Sequence, residues 1–246
     1  MLISSSVYNL FSYGFGGMGL YFDQTMILVL IGLGLSLLAS AKVKSTFRKY
    51  SRVRSMSGLT GAQAAVKVLN NAGIYDVRIE HIQGDLNDHY DPRIRVLRLS
   101  DSTYGSSSVA AVGVAAHECG HAIQHQNHYA PLGLRSTLVP AANIGSSLSW
   151  PVFIIGLVAS VPALVTAGIV LFGLAVLFQL VTLPVEFNAS SRAIKVLEDT
   201  GVLGSEELSG ARKVLSAAAL TYVAALASSI LQLLRLIILS GGRRRD

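Results

Sequence analysis

The sequence predicts a mainly α-helical membrane protein, with about four membrane helices and one small α+β domain. Two observations carry this. Only 14% of the 246 residues are charged and 51% are hydrophobic, against about a quarter charged in ordinary soluble domains. The apolar residues are also gathered into uncharged runs at 25–41, 136–185 and 214–234. A bilayer core takes about 20 helical residues, so the middle run is long enough for two spans. Ser160, Val161 and Pro162 suit the turn between them. The chain therefore divides into an N-terminal segment and first membrane helix (1–41), a polar domain (42–135) and a membrane hairpin (136–185). A polar helix and loop (186–213) and a final membrane or interfacial helix with a basic tail (214–246) complete it.

The first 24 residues are rich in glycine and aromatics and include GFGGMG. No strand precedes these glycines, so they are not a dinucleotide fingerprint. Tyr13, Tyr21 and Phe22 suit the headgroup layer instead. The ASA at 39–41 resembles a signal-peptidase site, but no basic region precedes the apolar run. That run ends against Lys42, Lys44, Arg48, Lys49, Arg52 and Arg54, whereas Asp23 is the one charged side chain ahead of it. Positive residues beside a span stay on the cytoplasmic side, which sets the N-terminus outside and the polar domain inside. The net charge of +6 is thereby read as a topology determinant that meets anionic lipid, not as a nucleic-acid surface.

In the polar domain, TGAQAAVKVLNNAG reads as a short helix. Thr60 is its N-cap, Gln63 completes a capping box and Gly73 ends it. VRIEHI (77–82) alternates like a half-buried strand, QGDLNDHYDP is turn-rich, and RIRVLRL (93–99) reads as a second strand. A helix then starts at Ser107 or Ser108 and is apolar on all sides in its first half, as a buried helix should be. The lone Cys119 excludes an intramolecular disulfide and reads as a small buried side chain. At the other end, Thr221, Ser228, Gln232 and Arg235 share a helical stripe, so the last helix either crosses or lies in the interface. Four crossings would place Arg243, Arg244 and Arg245 outside, against the usual charge bias.

The chemistry is concentrated in HECGHAIQH, residues 117–125. Residues four apart lie on one face of a helix, so His117 and His121 can aim imidazole nitrogens at one ion. Glu118 is displaced around the helix and suits a general base for water held there. His125 is about 12 Å along the axis from His117 at 1.5 Å per residue, too far to share the ion. Neither Ala122, Ile123 nor Gln124 supplies the bend that would return it, so His125 and His128 are read as rim or supporting residues. A third ligand is then a carboxylate from elsewhere: Glu186, Glu198 or Asp88. Glu186 is best placed, as the first charge after the third apolar run, with Ser190 and Ala193 on its helical face.

LNDHYDP, VLRLS, AAHECGHAIQH, LRSTLVPAAN, LPVEFNASSRA and LSAAALTYVAAL, between Leu86 and Leu226, together resemble the YugP-type membrane zinc metallopeptidases, also called neutral zinc metallopeptidases. A more distant likeness is to HtpX-type and CAAX-processing membrane proteases, whose gluzincin site joins HExxH to a downstream glutamate in an ExxAD pattern. The resemblance implies a zincin-like catalytic domain, one Zn²⁺ per chain held by His117, His121 and Glu186, and Glu118 as catalytic base. It implies a multi-pass protein of a bacterial plasma membrane that hydrolyses peptide bonds of membrane or juxtamembrane proteins from the cytoplasmic side. Membrane-protein partners or a homo-oligomer fit the same picture. Ser190 stands where those relatives have Asp, so the group orienting the ligand histidines must be sought in Ser190, Asn188 or elsewhere.

His89, Tyr90, Tyr129 and Arg192 are the candidate donors to a tetrahedral oxyanion, and the strand at 93–99 could pair an extended substrate along its edge. Two other functions compete: a zinc hydrolase of a non-peptide membrane substrate, such as a lipid-linked amide, and a non-catalytic membrane scaffold.

Overall fold

The computed structural model describes residues 23–241. The GFGGMG segment with Tyr13, Tyr21 and Phe22, and the basic tail with Arg243, Arg244 and Arg245, lie outside the described residues. In chain order come α1 (Met26–Tyr50), α2 (Gly61–Asn71), β1 (Arg78–Ile82), β2 (His89–Asp91), β3 (Val96–Ser100) and α3 (Asp101–Tyr104). Then follow α4 (Val109–Gln126), α5 (Ala130–Val158), α6 (Pro162–Asp199) and α7 (Ser205–Gly241). The described chain is mainly helical. Four helices, α1, α5, α6 and α7, are long and apolar enough to cross a membrane.

Local chemistry explains the starts and stops. Thr60 accepts from the Gln63 amide while the Gln63 side chain returns to the Thr60 N–H, the reciprocal capping box. Gly73 follows α2 with φ of +71°, a conformation costly for any side chain. Of the two serines before α4, Ser108 is the cap, accepting from the Ala111 amide. The turn between α5 and α6 falls at 159–161, as expected, with Ser160 at φ +55°.

The three strands form one sheet in the order β1-β3-β2. β1 and β3 are parallel, with Arg78 beside Val96 and Ile82 beside Ser100. β2 runs antiparallel to β3, with Tyr90 beside Leu97. Two readings of the sequence are corrected here. The strand expected over 93–99 begins at Val96, because Arg95 has φ of +50° and cannot join a ladder. It is also the central strand, with both its edges paired, so it cannot add a substrate strand. The sheet's outer edges belong to β1 and to β2, which arises from a segment that reads as a turn.

α7 lies antiparallel along α1. Gly210 packs on Tyr50, Ser228 on Gly32, and Arg235 reaches Asp23 and Thr25. The Ser228 hydroxyl donates to the Gly32 carbonyl at 2.9 Å, which satisfies it within the apolar zone. Between the two alternatives for the last helix, this pairing favours crossing: α7 follows α1 along almost its whole length. Arg235 is therefore level with the start of α1, where Asp23 pairs with it at 3.1 Å and Trp150 offers a ring face at 5.8 Å.

α5 and α6 form the membrane hairpin. Bare glycines let their backbones touch: a β-carbon on Gly145 would lie 2.4 Å from the Leu171 carbonyl oxygen. α6 does not stop at the end of its apolar run. It passes through Pro184 and Glu186 to Asp199 without a break, 38 residues in all, or about 57 Å. The proline leaves one intrahelical hydrogen bond unmade; packing against α4 just beyond it keeps the helix whole. The hydrophobic core is correspondingly shared. Val68, Leu97, Leu99, Val112 and Cys119 of the polar segment pack with Ala193, Leu197, Leu203 and Leu215 from beyond the hairpin.

Candidate metal centre

α4 is buried almost all round as far as Gln124, with Val114 and His117 only partly covered, and emerges at His125 and Gln126. It packs against α6, and this contact brings Glu186 to the two histidines. Glu186 Oε2 lies 3.3 Å from His117 Nε2 and 3.6 Å from His121 Nε2. The ligand atoms of these three residues all fall within 4.8 Å of one another. Glu186 is 2% exposed. The other two carboxylate candidates are elsewhere. Asp88 spends both oxygens on Ser100, accepting from its amide at 2.8 Å and its hydroxyl at 2.9 Å. Glu198 is exposed, three turns further along α6.

The hydrogen bonds behind His121 fix which of its nitrogens carries the proton. Gln124 is fully buried, and its amide nitrogen donates to the Val185 carbonyl at 2.8 Å and to Asn188 Oδ1 at 3.0 Å. A backbone carbonyl only accepts, so the Gln124 oxygen must face His121 Nδ1, 3.0 Å away, and take a proton from it. The His121 Nε2 lone pair then points at Glu186. His117 Nδ1 meets Ser190 Oγ at 3.1 Å, so the serine occupies the orienting position expected of an acid in the relatives. Asn188 acts one step back, holding Gln124 while accepting from Arg192 Nε at 2.7 Å.

The His121 lone pair and a Glu186 oxygen thus converge on one point, with His117 Nε2 beside them. Among the described residues, Glu186 Oε2 is a buried atom without a hydrogen-bond partner. An orphaned carboxylate oxygen facing two imidazole nitrogens is expensive unless a cation sits among them. Two nitrogens and one carboxylate oxygen suit zinc, and three protein donors leave a position open for water. The other carboxylate oxygen, Oε1, lies 3.5 Å from the Arg135 guanidinium.

The three residues open onto a cavity of about 350 Å³, which Glu118, Arg135, His89, Tyr90 and Tyr222 also line. No cation pairs with Glu118 among the described residues. Of the four expected oxyanion donors, His89 and Tyr90 are on this cavity. Tyr129 and Arg192 instead face each other, ring centroid to guanidinium, at 5.8 Å. His125 is clear of the metal position, as its axial distance requires: its Nδ1 is hydrogen-bonded to the Tyr90 hydroxyl at 2.9 Å. Burial and the neighbouring Asp91 push the Tyr90 phenol up to about 12, so it stays protonated. Cys119 is buried with its thiol against the Ala65 carbonyl, and burial pushes its pKa well up, as befits an inert side chain.

Sequence reasoning missed Gln124, Arg135 and Tyr222. Gln124 reads in the sequence as an ordinary helix residue. Arg135 reads as the last charge before a membrane run, and Tyr222 sits inside one.

A family model described as "Putative neutral zinc metallopeptidase" matches residues 25–241. The chain belongs to that family. Membership implies zinc, and the three convergent side chains are its candidate ligands. Among curated proteins, the chain is 48% identical to the "Putative membrane protease YugP" of Bacillus subtilis (strain 168) over 214 residues. The match covers 87% of this chain and 95% of that relative. The relative's description agrees with the four apolar helices in pointing to the membrane. No solved structure matches the chain.

Proposed function

We propose that the protein is a zinc metalloendopeptidase of the gluzincin type, embedded in the plasma membrane of a bacterium and acting on membrane or juxtamembrane protein substrates. One observation carries this reading: two imidazole nitrogens and the orphaned Glu186 oxygen converge at the wall of a cavity that also holds Glu118. His117, His121 and Glu186 are the ligands of one zinc ion per chain. Bound there, zinc supplies the Lewis acidity that polarises a peptide carbonyl and makes water nucleophilic near neutral pH.

The protein's own groups do the rest. Glu118 accepts the water proton and passes it to the leaving amine nitrogen. Ser190 and Gln124 hold the two imidazoles in the tautomer that presents Nε2. Arg135 draws Glu186 Oε1 away, leaving Oε2 for the ion. The Tyr222 hydroxyl, on the same cavity, is the best-placed donor to the oxyanion, with His89 and Tyr90 beside it. Substrate backbone pairs with the outer edge of β2, the strand nearest α4.

Basic residues crowd the inner end of α1 and the first turn of α5 opens the cavity, so the site faces the cytoplasm at the membrane surface. Substrate trapping tests the whole reading. The Glu118→Gln protein, expressed in membranes, should retain zinc and hold uncleaved membrane proteins that the wild type releases as fragments. Wild-type protein purified with far less than one zinc per chain would sink it.

A further inference from the structure

Beside the catalytic cavity lies a second compartment of about 400 Å³. Pro92, Arg93, Leu132 and Ser136 line both, so the two are successive parts of one groove. Their chemistry differs. The first is lined by ionisable groups, whereas Pro92, Ala130, Leu132 and the Tyr129 ring give the second largely apolar walls. The Tyr90–His125 hydrogen bond marks the division, with Tyr90 on the catalytic side and His125 on the other. Burial, with Arg95 and His128 nearby, keeps His125 below its ordinary pKa, so this wall is neutral at neutral pH.

Two backbone features hold the compartment open. His128 has φ of +47° and turns the chain between α4 and α5, leaving a hollow in the corner. Gly133, in the first turns of α5, lines that hollow, and a β-carbon there would meet nothing within 4 Å. A glycine inside a helix costs about 1 kcal/mol relative to alanine. Nothing packs against this one, unlike Gly145 further along the same helix, so the missing side chain leaves space and serves no helix contact.

We propose that this compartment is a specificity subsite, taking a large apolar side chain of the leucine, methionine or phenylalanine class from the substrate residue next to the scissile bond. The proposal rests on the peptidase reading above. It gives His125 and His128, the histidines beyond reach of the metal, a role as subsite walls. Arg93 stands at the junction of the two compartments with no ion-pair partner among the described residues, which disfavours a lysine or arginine side chain there.

Gly133→Leu in the full-length, zinc-loaded protein tests this, because Gly133 lines the compartment and a β-carbon there meets no neighbour. The probes are two peptidyl hydroxamates that differ only in carrying a leucyl or an alanyl side chain beside the zinc-binding group. Binding is read by calorimetry, and cleavage preference from a mixed peptide library by mass spectrometry. Gly133→Leu should weaken the leucyl compound at least about tenfold while the alanyl compound changes less than about twofold. The library preference should move from large to small residues at one position. Gly133→Ala, with unchanged zinc content and Tm, controls for folding. Equal effects on both compounds, or none, would overturn the subsite. Loss of a co-purified lipid from Gly133→Leu with unchanged library preference would assign the space to an acyl chain and overturn it too. Failure of the peptidase reading looks different: the wild type itself would bind neither compound and cleave nothing.

Discussion

Gly120 of α4 and Ala189 of α6 meet backbone to backbone: a β-carbon on Gly120 would lie 2.4 Å from the Ala189 carbonyl oxygen. The glycine sits between His117 and His121 in sequence, and Ala189 is one helical turn beyond Glu186. The distance between the two helices, and so between the histidines and the carboxylate, is set by a residue with no side chain.

Gly120→Ala should therefore push α4 and α6 apart. Overpacking of this kind costs about 1–3 kcal/mol, and here it also widens the ligand set. A lowered Tm in detergent together with zinc loss on dialysis is the expected result. A variant that keeps its zinc and its Tm would show that the contact is not what spaces the ligands.

Glu118→Gln preserves the shape of the side chain and removes its basicity. Zinc content should match the wild type while peptide turnover falls by about 10²- to 10⁴-fold, the usual contribution of a general base. Normal turnover in the variant would strike Glu118 from the mechanism.

The groups behind the histidines should register in metal affinity. Gln124→Leu deprives His121 Nδ1 of its acceptor, and Ser190→Ala does the same for His117. Each should weaken zinc by about 10- to 100-fold in competition with a chelator. The Gln124 change should be the more severe of the two, since it also removes the donor that ties α4 to the Val185 carbonyl and the Asn188 side chain of α6.

Removing the third ligand is a sharper cut. Glu186→Ala should lose stoichiometric zinc, whereas Glu198→Ala, on an exposed turn of the same helix, should keep it. Metal analysis of the two purified proteins decides between them, and the opposite outcome would reassign the ligand.

Topology is open to labelling, because buried Cys119 gives little background. Cysteines introduced at the exposed Ser57 and Ser205 should react with an impermeant maleimide from the same face of the membrane. One at Ser240 should react from the opposite face. Labelling of Ser205 and Ser240 from one face would return α7 to the interface.

What the sequence made legible followed periodicity. HECGH aligns two candidate ligands and a glutamate by spacing alone, and its place as the first charge after the third apolar stretch brought Glu186 to the front of the carboxylates. Three apolar runs, the middle one long enough for two spans, gave the count of membrane helices. What stayed hidden depended on which residues meet across helices. Gln124 is an ordinary helix residue until Val185 and Asn188 pack over it. β2 is three residues inside a turn-rich segment, made a strand by pairing with β3. Pro184 and the charge that follows suggested a helix boundary, yet packing against α4 carries α6 straight through.

That continuity has a mechanical side. α6 joins a membrane-length apolar stretch and a candidate metal ligand on one rod, with its far end fixed in the core of the polar domain and Glu186 where the two parts meet. A span that is too long or too short for its bilayer answers by tilting. Tilt in this helix is felt at the ligand, not absorbed in a loop. Hydrocarbon thickness thus becomes a variable of the coordination sphere. Reconstitution in short-, medium- and long-chain phosphatidylcholine is then as direct a probe of the centre as a change of metal.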